Sequence, residues 1–157
     1  MNRRRFLIGS SFLASLVGVS GCAGQAQAQD LEVWRDAGCG CCEVWTERMA
    51  ATGQFRTSLM NEVDMVALKR RLGVPEDLAS CHTASVDGFV IEGHVPAREI
   101  SRLIEERPAG VRGLAVAGMP VGSPGMEMPD GRSDAFDVIA FGDGDRRVFA
   151  HYAASSS

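Results

Sequence analysis

The dipeptide Asp87-Gly88 stands between Ala84-Ser85-Val86 and Phe89-Val90-Ile91, and it is the strongest local constraint on how this chain folds. Asp-Gly accepts the positive φ angles of a type I′ turn, so the two apolar runs it joins pair as an antiparallel hairpin. The other patterns fall into order around it. Residues 31–34 alternate as a strand. Residues 41–52 set Cys41, Val44, Trp45, Met49 and Ala51 on one helical face, stopped by Gly53. Residues 55–60 read as a second strand. Asn61, with Asp64 three residues on, resembles a capping box for a helix carrying Met65, Leu68 and Leu72. Gly73 supplies its C′ position and Pro75 forbids resumption. After the hairpin, Pro96 falls at the N1 position of a third helix, with Ile100, Leu103 and Ile104 on one face and an end before Pro108.

The order is β-α-β-α-β-β-α, an α/β arrangement with the order of a thioredoxin-like core. A C-terminal appendage is expected beyond it. It comprises a short apolar stretch (residues 114–117), a flexible Met/Gly/Pro-rich loop (118–131), and a β-hairpin turning at Gly142-Asp143-Gly144.

Residues 1–28 stand apart from this pattern as an export segment with spacer, which leaves 29–157 as one domain. Asn2-Arg3-Arg4-Arg5-Phe6-Leu7 has the form of a twin-arginine signal. The apolar run over residues 6–19 would rise only about 21 Å as a helix, short of the roughly 30 Å hydrocarbon core, so it reads as a signal h-region. Two cleavage sites compete. Val19-Ser20-Gly21-Cys22 resembles a lipobox, which would lipidate Cys22 and tether the protein to a membrane, whereas Ala26-Gln27-Ala28 fits ordinary signal peptidase. Either route leads to the periplasm or cell envelope. The segment carries three arginines and no acidic residue, so its removal takes the net charge from −4 to −7. That balance argues against nucleic acid as a partner.

Five cysteines are present, of which Cys39, Cys41, Cys42 and Cys81 belong to the domain. Three of the four lie within four residues, an odd arrangement for structural staples. In the expected topology the first strand ends at the loop holding Cys39, the third begins at Cys81-His82-Thr83, and the fourth ends at Glu92-Gly93-His94. Cys39, Cys41, Cys42, Cys81, His82 and His94 then meet at one rim of the sheet. Thiolate and imidazole both suit Cu(I) and Zn(II), and a helix N-terminus favours thiolate. Methionine separates the two metals, because thioether binds Cu(I) well and Zn(II) poorly. Met119, Met126 and Met128 lie in the loop, where packing does not explain them. The expected ligand set is therefore Cys39, Cys41, Cys42, Cys81, His82, His94, Met119, Met126 and Met128, and the expected cargo is copper as Cu(I), ahead of zinc.

Plainer readings stand beside this one. Cys39 and Cys42 form a C-x-x-C pair and could be a redox dithiol, which would make the chain a metal-free thiol–disulfide oxidoreductase. Cys81 could be a buried hydrophobe or the disulfide partner of Cys39. His94 could cap a helix, and a structural Cys/His zinc site would need no methionine. Met49, Met60 and Met65 read as core, and His151 as a surface residue.

Four segments together carry a resemblance to a known family: Cys39-Gly40-Cys41-Cys42 with Trp45, then Ser80-Cys81-His82-Thr83-Ala84, Glu92-Gly93-His94-Val95-Pro96, and residues 118–127. In that order they resemble the CopG-type exported copper-resistance proteins, long catalogued as a domain of unknown function. The resemblance implies a thioredoxin-like fold that binds copper after export, with Cys39, Cys41, Cys42, Cys81, His82, His94, Met119 and Met126 as matching residues. Met128 rests on spacing alone. One difference from thioredoxins is informative. The cis-proline that normally opens the third strand is replaced by Cys81-His82-Thr83, which points away from ordinary protein disulfide exchange.

Overall fold

The computed structural model describes residues 27–144 and 146–156. The twin-arginine motif and Cys22 lie outside the described residues. Seven strands and three α-helices follow in the order β1 (Gln29–Arg35), α1 (Gly40–Ala51), β2 (Phe55–Asn61), α2 (Met65–Leu72), β3 (His82–Val86), β4 (Phe89–Glu92), α3 (Ala97–Glu106), β5 (Val111–Ala115), β6 (Phe136–Gly142) and β7 (Arg147–Tyr152). A 3-10 turn at Glu76–Leu78 links α2 to β3. All seven strands join one sheet in the order β2-β1-β3-β4-β5-β6-β7. β1 runs parallel to β2 and antiparallel to β3, and β4 returns antiparallel to β3.

The hairpin at Asp87-Gly88 has the expected turn, with φ of 49° and 83° at its two central residues. Leu31, Val33, Ala84, Val86 and Ile91 of the central strands are buried against Trp45 and Met49 of α1 and Ile100 and Leu103 of α3. Removing that apolar surface from water is the main force closing the domain.

Three local expectations need correction. Asn61 does not cap α2. It still pairs with Arg35 at the end of β2, so the cap moves three residues on. Asp64 takes the role, its carboxylate accepting from Ala67 N at 2.9 Å, while the Glu62 side chain accepts from Asp64 N. Pro96 sits at the N-cap of α3 rather than at N1, with extended backbone (ψ 141°) and a carbonyl that accepts from Ile100 N. The C-terminal region is a continuation of the sheet, not an appendage. β5 pairs parallel with β4, and β6 and β7 extend the same sheet, because the apolar residues Leu114, Ala115, Val138 and Ala140 need the cover that sheet position provides.

The topology creates a rim. In the β1–β3 pairing, Arg35, the last residue of β1, lies opposite His82, the first of β3. In the β3–β4 pairing, Thr83 lies opposite Glu92, the last of β4. The chain leaves β1 into the turn before α1 at this rim, enters β3 there, and leaves β4 there toward His94.

Candidate metal centre

Cys39 is the N-cap residue of α1, so Gly40, Cys41 and Cys42 form its first turn. No side chain caps this helix end. The unpaired N–H groups of the first turn and the positive end of the helix dipole lie at this end. Arg35 steadies the turn. Its guanidinium donates to the Cys39 carbonyl at 2.8 Å and pairs with Glu43 at 2.7 Å. Cys39 and Cys42 are joined by a disulfide with Cα atoms 5.4 Å apart, so the suggested Cys39–Cys81 bond is not the one formed. Cys41 and Cys81 are free thiols.

The sulfurs of Cys39, Cys41, Cys42 and Cys81 all lie within 4.8 Å of one another. A second group with the same span comprises Cys81, His82 and His94. Cys81 belongs to both. Its Sγ is 3.1 Å from His94 Nε2 and 3.4 Å from His82 Nδ1. Cys41 Sγ is 3.6 Å from Cys39 Sγ and 4.0 Å from the thioether of Met119. Six residues expected to meet from sequence are thus brought together, with Met119 as the seventh. Met126 is half-buried in the same loop and Met128 is 37% exposed. Neither receives a thiol hydrogen bond among the described residues.

His94 does not cap α3. It is fully buried, and its Nδ1–H donates to the Pro124 carbonyl at 2.7 Å. A carbonyl can only accept, so the proton sits on Nδ1 and the Nε2 lone pair faces Cys81. Histidine ligands to metals are oriented in this way by a backbone or carboxylate acceptor on the other nitrogen. Burial lowers the pKa of His94 below its ordinary value, although the bond to Pro124 works in the other direction. Burial also holds His82 well below the usual range, with His94 and Lys69 adding repulsion. Both rings are therefore neutral, the form that ligates. Burial pushes the Cys81 thiol up to about 12, with Cys41 adding to the rise. Without a cation it stays protonated and donates to His94, and a bound cation would displace that proton.

Trp45 fixes two of these pieces at once. Its indole N–H donates to the Val95 carbonyl at 3.0 Å, just beyond His94, and its ring lies 4.4 Å from that of His82. The Met-bearing loop, expected to be flexible, is a chain of turns closed by Ser123 N to Pro120 O, Met126 N to Ser123 O and Gly122 N to Met126 O. Arg48 of α1 pairs with Glu127 at 2.9 Å, holding the loop over the helix.

Glycine is required at two places. A Cβ on Gly125 would lie 3.0 Å from Trp45 N and 3.1 Å from Cys41 O, so the loop can lie this close to α1 only without a side chain there. Gly93 has φ +69°, and a Cβ on it would meet Val116 O at 2.5 Å and Ser80 Oγ at 2.6 Å. The sequence reading missed the Pro124 carbonyl and the spacing roles of these glycines. Pro124 and Gly125 just before Met126, and Gly93 just before His94, were the only signal available.

Comparisons with known proteins place the chain among relatives. A family model described as a protein of unknown function, DUF411, matches residues 78–126, which include Cys81, His82, His94, Met119 and Met126. No curated protein matches the chain. Two solved structures do, titled copper resistance protein copG, Form 1 and Form 2. Both are 46% identical, and the match covers 80% of this chain and 98% of theirs, with TM-scores of 0.74 and 0.73. Identity at that level across nearly the whole of the related chain places this protein in the CopG copper-resistance family.

Proposed function

We propose that this chain is an exported copper-binding protein that sequesters Cu(I) in copper resistance. One observation carries the reading: the Cys81 sulfur belongs both to the four-sulfur group and to the imidazole group. Separate ions for the two groups would have to share that sulfur, so the site favours a small cluster in which thiolates bridge two or more ions. Cys39, Cys41, Cys42, Cys81, His94 and Met119 are the ligands proposed first. His82 joins them through Nδ1, Met126 is a reserve ligand, and Met128 is the weakest candidate. The thioether 4.0 Å from Cys41 favours copper over a structural zinc site, because Zn(II) has little use for it.

The strand order β2-β1-β3-β4 supports a thioredoxin-like core, and the Arg3-Arg4-Arg5 segment supports twin-arginine export to the periplasm or cell envelope, with Cys22 as an optional lipid anchor. Anaerobic titration of the reduced protein with Cu(I) against a chromogenic chelator tests the reading. Retention of more than one Cu(I) per chain supports a cluster, and failure to outcompete a chelator of modest affinity ends it.

A second reading has one specific observation behind it, the Cys39–Cys42 disulfide at a helix N-terminus. It makes the chain a metal-free thiol–disulfide oxidoreductase. It predicts turnover of a protein disulfide by metal-free protein, abolished by Cys39→Ser and indifferent to His94→Ala.

A further inference from the structure

Glu92 ends β4 with no exposure to solvent, two residues before His94. One carboxylate oxygen accepts from Ser80 N at 2.6 Å and from Lys69 Nζ at 2.6 Å, and the other accepts from Thr83 Oγ1 at 2.7 Å. Lys69 Nζ, reaching in from α2, also donates to Thr83 Oγ1 at 2.9 Å. Ser80 and Thr83 flank Cys81-His82 on either side. The Ser80 hydroxyl in turn donates to the Gly118 carbonyl, next to Met119. The backbone adds to the same frame, since Gly93 N donates to His82 O and Val116 N to Glu92 O.

A buried ion pair is a poor device for stability alone, since apolar residues of similar volume often serve as well or better. The second fully buried carboxylate makes the contrast. Glu99 of α3 is held by Arg98, Arg102 and Tyr152, none of which belongs to the metal centre. Two buried acids thus have different neighbours, and only one of them holds the chain on both sides of a ligand pair.

We infer that Glu92 is a positioning residue for the metal centre, its carboxylate holding residues 80–83 so that Cys81 and His82 meet His94 and Met119 stays close. The inference rests on the copper-binding reading above. Outer partners of this kind are worth roughly 10–100-fold in metal affinity.

The test compares Cu(I) affinity by chelator competition, thermal stability and the copper K-edge X-ray absorption spectrum across four reduced variants. Lys69→Met/Glu92→Leu is expected to bind Cu(I) about 10–100-fold more weakly, with a smaller imidazole contribution to the spectrum and an unchanged or higher Tm. Lys69→Met/Glu92→Gln is expected to recover most of that loss. Its amide oxygen still accepts from Ser80 N, and its NH2 can donate to Thr83 Oγ1. Glu99→Gln is expected to leave the affinity unchanged. A folded Leu variant with wild-type affinity and spectrum overturns the inference, as does a Gln variant that rescues nothing. Where the Leu variant does not fold, Thr83→Val carries the test, with a loss of about tenfold expected and no loss overturning it. A wild-type protein that cannot hold Cu(I) overturns the copper reading and this role together, and is told apart by that first measurement.

Discussion

The two halves of the metal centre are built differently. The helix-borne half, Cys39 to Cys42, comes from one short turn, and two of its three sulfurs are tied up in a disulfide. The strand-borne half, Cys81, His82 and His94, is assembled from two chain segments, and its histidines are neutral and fully buried, with His82 packed against Trp45 and against His94. The first half can change its number of donors by a two-electron reaction. The two imidazoles of the second cannot, since they carry no thiol, and packing and hydrogen bonds hold them in place. The candidate centre therefore joins sulfurs whose free-thiol count depends on the disulfide to two imidazoles of fixed geometry, with Cys81 as the joint.

The largest effect is expected at that joint. Cys81→Ser should weaken Cu(I) retention by more than the roughly 100-fold ceiling of outer-partner changes, because it removes a ligand from both groups. Chelator competition measures this, and a loss no greater than that of Met119→Leu would break the comparison.

Redox state comes next. With the disulfide closed only Cys41 and Cys81 remain as thiols, so the oxidised protein should bind at most half as many Cu(I) ions as the reduced one. Treatment with a small dithiol should restore the higher value of the reduced protein, read as Cu(I) stoichiometry by anaerobic titration.

A smaller effect concerns pH in the metal-free, disulfide-bonded protein. His82 and His94 have folded pKa values below the unfolded one, so the stability they confer is full above about pH 6.5 and is lost as pH falls through their folded values. Cys81 works in the opposite direction. Its folded pKa is raised from 9.0 to about 12, so its contribution is full below pH 9 and is lost as pH rises toward 12. Each titrating group contributes a slope of up to about 1.4 kcal/mol per pH unit. A profile of Tm against pH should therefore fall on both sides, and Cys81→Ser should flatten only the alkaline side.

The smallest change is expected from Met119→Leu, whose thioether is half exposed at the mouth of the site. It should weaken Cu(I) binding several-fold and leave zinc binding unaltered.

Much of this organisation was legible in the chain. Asp87-Gly88 gave the hairpin, and with β1 and β4 ordered around it the six Cys and His residues had to converge. Local competition was harder to read. Both Asn61 and Asp64 can cap a helix, and only the length of β2, decided by its pairing with β1, selects Asp64. The extension of the sheet by β5 was hidden because Leu114 and Ala115 form too short a run to announce a strand, and their place depends on the parallel partner β4. In the site, the sulfurs and imidazoles were visible as residue types. Their supports were not, since the Pro124 carbonyl is backbone and Lys69 reaches Glu92 only through the packing of α2.

X-ray absorption at the copper edge of the reduced, Cu(I)-loaded protein tests the central claim most directly. Shared sulfur predicts a first shell dominated by sulfur with an imidazole component, together with a short copper–copper vector that disappears in Cys81→Ser. A single isolated copper with a shell unchanged by that substitution would contradict it.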